Sequence, residues 1–134
     1  DACPSFLVLQ SVAGGTGSGV GTNITHLLRR DYPSSCLINA AVWPYESGEV
    51  IVQSYNAILT LSELSRASDG VVLFQNAQLS EMCTRLLNVK RPSFEDLNRV
   101  VARHLGAALL PSVDRGRPVC GLEGIASALC GHIT

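Results

Sequence analysis

Phe6-Leu7-Val8-Leu9-Gln10-Ser11-Val12-Ala13-Gly14-Gly15-Thr16-Gly17-Ser18-Gly19-Val20-Gly21-Thr22 runs from an apolar tetrad into a burst of glycine. The tetrad Phe6–Leu9 predicts a buried strand that feeds a loop. Beyond the glycines, Val20, Ile24, Leu27 and Leu28 fall at i, i+4, i+7 and i+8, which is one apolar face of a helix. That helix is expected to begin near Ser18. Arg29 and Arg30 lie in its last turn, where cations suit the negative end of the dipole, and Pro33 closes it.

A strand, a glycine turn and a helix in that order suit an anion. Glycines at alternate positions leave successive N–H groups unobstructed, and such a nest binds phosphate oxygens. The helix start adds its positive dipole end at the same point. Thr16 and Ser18 carry hydroxyls that donate to phosphate without adding charge. A Walker A loop is excluded, because no lysine occurs nearby. The dinucleotide pattern GxGxxG fails as well, since its third position falls on Val20 or Thr22, and the next strand lacks the acid that holds an adenine-side ribose. A flexible glycine linker is the bland alternative, but a linker has no need of a strand before it and a helix after it.

Downstream, Cys36-Leu37-Ile38 and Ala40-Ala41-Val42 read as a second buried strand ended by Pro44. Val50-Ile51-Val52 then leads to a helix around 55–68 with Ile58, Leu61 and Leu64 at rough helical spacing. Val71–Phe74 reads as a third strand, and Leu79, Met82, Cys83, Leu86 and Leu87 follow the helical period. Ser93 resembles an N-cap before a last helix with Leu97, Val100, Val101 and Leu105 on one face. Strands that alternate with helices imply parallel pairing through right-handed crossovers, hence an α/β fold with ligands at the carboxyl ends of its strands. The character changes at residue 112, so residues 112–134 are treated as a tail of unknown structure.

With 134 residues, 46% hydrophobic and 16% charged, the chain suits one modest domain rather than two and has little scope for long disorder. A net charge of −1 leaves no global field to recruit nucleic acid or a membrane surface, so an anion site has to be local. No run of about 18 apolar residues spans a bilayer, and no signal peptide opens the chain. Its start at Asp1 suggests a fragment or a processed product. Cys3, Cys36, Cys83, Cys120 and Cys130 lack metal-ligand spacing, which favours a reducing compartment and no metal site. Cys36 and Cys83 lie in apolar periodic segments and are expected in the core. His26, His104 and His132 have no partners at ligand spacing and take no role.

Gly14-Gly15-Thr16-Gly17-Ser18-Gly19-Val20-Gly21-Thr22 resembles the signature loop of the tubulin family, GGTGSG followed by an apolar residue and Gly-Thr. Gln53-Ser54-Tyr55-Asn56-Ala57-Ile58-Leu59 resembles the family's E-P-Y-N-x-x-L segment, Asn76 with Leu79 resembles N-E-A-L, and Phe94-Glu95-Asp96-Leu97-Asn98 resembles Y-x-D-L-N. All four occur in the family's order across residues 2–111. Trp43-Pro44-Tyr45 with Gly48-Glu49-Val50-Ile51-Val52-Gln53, and Phe94 for the usual tyrosine, are similar to the delta branch.

The resemblance implies a partial, Rossmann-like GTP-binding domain over residues 1–111, with GTP or GDP as ligand and Mg2+ carried by the nucleotide. Ser11, Gly14, Gly15, Thr16, Gly17, Ser18 and Gly19 are then expected to cradle the phosphates. Glu49 and Gln53 approach the ribose, Gln53 replacing a glutamate and so bonding more weakly than a charged acceptor. Asn76 and Asn98 read the guanine, for which an amide offers both donor and acceptor, and Phe94 stacks on the base. Read singly, Asn76 fits a turn former or helix cap equally well, and Phe94 a core residue. The resemblance further implies other tubulin subunits as partners, and a setting in the cytoplasm, cytoskeleton, centriole or basal body. The family's weak GTPase is completed by an acid downstream of this region. Glu123 lacks the pattern of that acid, so no catalytic residue is assigned. A stand-alone enzyme acting on another phosphorylated substrate, or a truncated remnant that binds nothing, stay open as alternatives.

Overall fold

The computed structural model describes residues 4–47, 51–110, 112–114, 117–119 and 122. Strand β1 (Phe6–Ser11) pairs in parallel with β2 (Leu37–Trp43), which pairs in parallel with β3 (Gly70–Gln75). The register sets Ser11 opposite Val42 and Trp43 opposite Gln75, so the carboxyl ends of the three strands share one edge. A π-helical turn (Thr16–Gly21) follows β1 and continues into α1 (Thr22–Asp31). Helix α2 (Gln53–Ala67) links β2 to β3, and α3 (Asn76–Leu86) and α4 (Phe94–Leu109) follow β3. This is the expected α/β architecture, a partial parallel Rossmann-like sheet flanked by helices. A short antiparallel pair, β4 (Ser112–Asp114) with β5 (Arg117–Val119), follows α4.

Alternation along the strands divides the core between the two faces of the sheet. Ala41, with Trp43 and Val71 against it, packs with Val12, Ala57 and Leu64 beneath α2. Ala40 and Phe74 meet Leu79 and Cys83 of α3 and Leu97 and Val100 of α4 on the opposite face, with Leu7 and Val72 alongside. Two crossovers of the same hand in a sequentially ordered sheet place their helices on one side, and α1 accordingly touches α2.

Polar contacts fasten the far edge of the sheet. Arg29 Nε donates to the Ala67 carbonyl at 2.8 Å and Nη1 to the Pro33 and Ser35 carbonyls at 3.1 and 3.0 Å. Its Nη2 reaches Asp69 Oδ2 at 2.7 Å, and the same oxygen accepts the Leu37 N–H at 2.8 Å. One guanidinium thus joins the end of α1, the start of β2 and the α2–β3 connection. Above it, fully buried Asn39 donates from Nδ2 to Ser68 Oγ at 2.7 Å, with Thr25 Oγ1 at 3.3 Å from its Oδ1. Helix α4 begins as Ser93 predicts: Ser93 Oγ accepts the Asp96 N–H at 3.3 Å and Asp96 Oδ2 accepts the Ser93 N–H at 2.9 Å, a reciprocal capping box. Asn88, at φ 55°, turns the chain out of α3 in the left-handed conformation that asparagine tolerates.

Two expectations change. Helical winding starts ahead of Ser18, because the glycine turn is itself wound as a π-helix from Thr16. Val20, Ile24 and Leu27 stand 55%, 45% and 38% exposed, Leu28 of the same expected face is half-buried, and Thr25 is the buried residue of α1. Most of the apolar face of the helix is therefore not the face laid on the sheet. Of the two cysteines expected in the core, Cys83 is buried and Cys36 is half-buried.

Candidate nucleotide-binding site

Strand β1 ends at Ser11, and the chain turns at once through Val12–Gly15 into the π-helical turn. Ser11 Oγ accepts the Ala13 N–H at 3.3 Å, which tightens the exit from the strand. The winding begins with the Ser18 N–H, which donates to the Gly14 carbonyl at 3.0 Å. The N–H groups of Gly15, Thr16 and Gly17 precede that first bond, so they belong to the set a helix start leaves unpaired. Side chains at Gly14, Gly15 or Gly19 would meet nothing, so the backbone there borders open space. Gly17 differs. A Cβ at that position would collide with the Ser11 carbonyl oxygen, so only glycine lets the turn lie against the strand end.

Two side chains hold this turn in shape. Ser18 Oγ donates to the Gly14 carbonyl at 2.6 Å, doubling the backbone bond between the same residues. Asn56 Nδ2, from α2, donates to the Ala13 carbonyl at 2.9 Å. Gln10, on the strand beneath, is buried with neither amide atom hydrogen-bonded among the described residues, and a side chain at Gly21 would strike it.

The other candidate residues reach the same sheet edge from β2 and β3. Gln53 opens α2, and its Nε2 donates to the Tyr45 and Glu46 carbonyls at 3.1 and 3.3 Å. The amide nitrogen is therefore engaged with the β2–α2 connection, while Oε1 has no partner among the described residues. Glu49 lies outside the described residues. Asn76 is the first residue of α3, directly after β3. Gln75 is the cap residue, and the Asn76 amide makes no hydrogen bond among the described residues. Phe94 is 69% exposed at the start of α4, which removes the core reading, and Asn98 follows one turn later on the same helical face. Among the described residues no basic side chain takes part in holding the turn, and its pull on an anion comes from backbone dipoles.

Residues 1–84 match the Tubulin/FtsZ family, GTPase domain. The chain belongs to the tubulin family. Over 112 residues it is 46% identical to the tubulin delta chain of Homo sapiens and equally to that of Mus musculus, and 45% identical to that of Macaca fascicularis. Each match covers 84% of this chain and 25% of the relative, so the chain spans about a quarter of the length of the relatives it matches. No helix among the described residues is long and apolar enough to cross a membrane.

Within this tubulin-family chain, Asn56 has a role that its place in the Tyr55-Asn56 segment does not reveal. Its bond to Ala13 crosses 43 positions. His26 likewise acquires a partner from a distance, Glu63 Oε2 at 3.1 Å.

Proposed function

We propose that this chain is the phosphate- and base-recognising part of a GTP site in a delta-like tubulin. The carrying observation is the glycine turn at the carboxyl end of β1. It is open at Gly14, Gly15 and Gly19, closed against Ser11 at Gly17, and wound so that three successive N–H groups precede its first internal bond. That geometry fits phosphate oxygens. Ser11 and Gly14, Gly15, Thr16, Gly17, Ser18 and Gly19 surround the phosphates in this reading. Gln53 offers Oε1 to the ribose together with Glu49, and Asn76 and Asn98 read the guanine while Phe94 stacks on it. An exposed phenyl ring at a helix start supplies an apolar platform for a base, which supports that last role. Any Mg2+ arrives with the nucleotide.

Residues 1–111 form the partial nucleotide-binding domain in this reading, and residues 112–134 a tail. Other tubulin subunits are the partners, and the setting is the cytoskeleton at centrioles and basal bodies. The subunit contacts and any GTP hydrolysis belong to the full-length polypeptide, where nucleotide binding and assembly are linked by mass action. The test is thermal stabilisation of that polypeptide, and of this chain alone, by GTP, ATP and pyrophosphate. A GTP-selective shift is expected for the full-length protein and little for the isolated chain. Equal shifts with ATP and GTP would remove the base-reading roles of Asn76 and Asn98.

A further inference from the structure

The connection from α3 to α4, residues 87–93, ends in Lys90-Arg91-Pro92-Ser93: two cations, a proline and a hydroxyl. The nucleotide reading uses none of the four. Among the described residues Arg29, Arg30, Arg66, Arg85 and Arg99 each reach a carboxylate. Lys90 and Arg91, side by side, reach none among those residues, and both are exposed. Their charges therefore do nothing to fasten the described fold and stay open to a partner.

Ser93 is exposed as well. Its backbone is extended, at φ −83° and ψ 166°. Proline fixes its own φ and biases the residue before it toward extended backbone, so Arg91-Pro92-Ser93 already has the stretched form in which a kinase cleft takes a peptide. Ser93 Oγ donates to Asp96 Oδ2 at 2.8 Å and accepts the Asp96 N–H at 3.3 Å. Both bonds lie in the solvent-exposed first turn of α4, and helix ends are the parts that open most readily. The hydroxyl is thus an accessible nucleophile one local opening away from free.

We propose that Ser93 accepts a phosphoryl group from a serine kinase that reads the basic pair before it, and that the phosphate weakens GTP binding. The second half rests on the nucleotide site proposed above; the first does not. Ser93 Oγ attacks the γ-phosphorus of ATP. The Oγ–P bond forms, the bond from that phosphorus to the β–γ bridging oxygen breaks, ADP leaves, and the hydroxyl proton passes to the kinase's base. An acidic substrate groove complements Lys90 and Arg91. A kinase that reads acids would have to use Glu95 and Asp96, but these are wound into the helix, and Asp96 is bound to Ser93 itself. The basic side is the one on offer. Phosphoserine carries about −1.5 to −2 charges at pH 7. It removes the O–H that Asp96 accepts and sets its charge against Asp96 and Glu95, so the reciprocal cap opens. Phe94 is the next residue and Asn98 lies one turn on, so the displaced start of α4 is the part that carries the base-recognising side chains.

The experiment incubates the full-length polypeptide with ATP and the catalytic subunit of cyclic-AMP-dependent protein kinase, which reads basic residues. Casein kinase II, which reads acids, runs in parallel. Mass spectrometry gives the phosphate per chain and the residue modified, and equilibrium dialysis gives GTP affinity. Phosphate on Ser93 is expected with the first kinase and little with the second. Lys90→Ala combined with Arg91→Ala keeps the hydroxyl and its cap; it is expected to slow incorporation about tenfold or more while GTP affinity before phosphorylation stays within about twofold. Ser93→Ala is expected to abolish the modification. Phosphorylation is expected to weaken GTP about tenfold or more. No phosphate on Ser93, a faster reaction with casein kinase II, or a rate indifferent to loss of both cations would overturn the acceptor assignment. GTP affinity unchanged by phosphate on Ser93 would overturn the regulatory half. An unmodified protein that binds no GTP yet is phosphorylated in this pattern contradicts only the nucleotide reading.

Discussion

Asn56 of α2 donates from Nδ2 to the main-chain carbonyl of Ala13 at 2.9 Å, and through that bond a helix on one face of the sheet sets the entry of the glycine turn. Asn56→Ala leaves the Ala13 carbonyl without this donor. The expected loss of stability is about 1 kcal/mol, accompanied by a fall in GTP affinity of the full-length polypeptide. Asn56→Asp, which keeps the shape but has no N–H, is expected to behave like the alanine variant rather than like wild type. Urea denaturation and equilibrium dialysis check both, and a fully functional aspartate variant would contradict the tie.

Gly17 and Gly19 stand two residues apart in the same turn and are expected to respond oppositely. At Gly17 a methyl group runs into the Ser11 carbonyl, so Gly17→Ala must displace the turn from the strand, at a cost of about 1–3 kcal/mol. At Gly19 the methyl meets open space, and Gly19→Ala is expected to hold or slightly raise stability, since alanine favours helical backbone by about 1 kcal/mol over glycine. Denaturation midpoints measure the contrast; equal losses at both positions would refute the packing described for Gly17.

Asp69 imposes a pH dependence. Partial burial pushes its carboxyl pKa up, but the Leu37 N–H and the Arg29 guanidinium outweigh that effect and hold it below the ordinary carboxylate value. A carboxylate with a lowered folded pKa adds stability above its unfolded pKa, near ~4, and loses it as pH falls through the folded value. Stability is therefore expected to decline with acid below about pH 4, and Arg29→Ala to flatten part of that slope. Unfolding curves between neutral pH and acid, for wild type and variant, provide the check.

The base-recognising roles make a separate prediction. Asn76 and Asn98 have no hydrogen bonds among the described residues that their loss would break, so Asn76→Ala and Asn98→Ala are expected to change stability by less than about 0.5 kcal/mol. In the full-length polypeptide each is expected to narrow the preference for GTP over ATP, while Phe94→Ala weakens both nucleotides through lost stacking. Competition binding with the two nucleotides measures this; an unaltered GTP-to-ATP ratio in both asparagine variants would remove their assignment.

What could be read from the sequence was local. The apolar run before Gly14 marked β1, alternation with helical segments marked the parallel sheet, and Ser93 with Asp96 marked the start of α4. Chemistry written into neighbouring residues survives translation into three dimensions because turns and caps are made by residues within four positions of one another. The α1 face was less legible. Val20, Ile24 and Leu27 have impeccable helical spacing, yet the helix lays Thr25 on the sheet, where its hydroxyl reaches the Gly21 carbonyl at 3.0 Å and approaches Asn39. Periodicity identifies an apolar face without saying what covers it. Bonds that cross the chain left no trace: Asn56 to Ala13, His26 to Glu63 and Arg29 to Asp69 join residues 37 to 43 positions apart. The orphan amide of Gln10 and the hydroxyl of Thr60 likewise emerge only when packing shows which polar groups lack a neighbour.

The central claim is that the N–H groups ahead of Ser18 converge on the phosphates of one nucleotide. Selective 15N-glycine labelling of the full-length polypeptide, with amide shifts followed as GTP is added, addresses it directly. The largest displacements are expected at Gly15 and Gly17, reproduced by pyrophosphate alone and small at Gly106 on α4. Saturable GTP binding that leaves the amides of Gly14, Gly15 and Gly17 unmoved would contradict it.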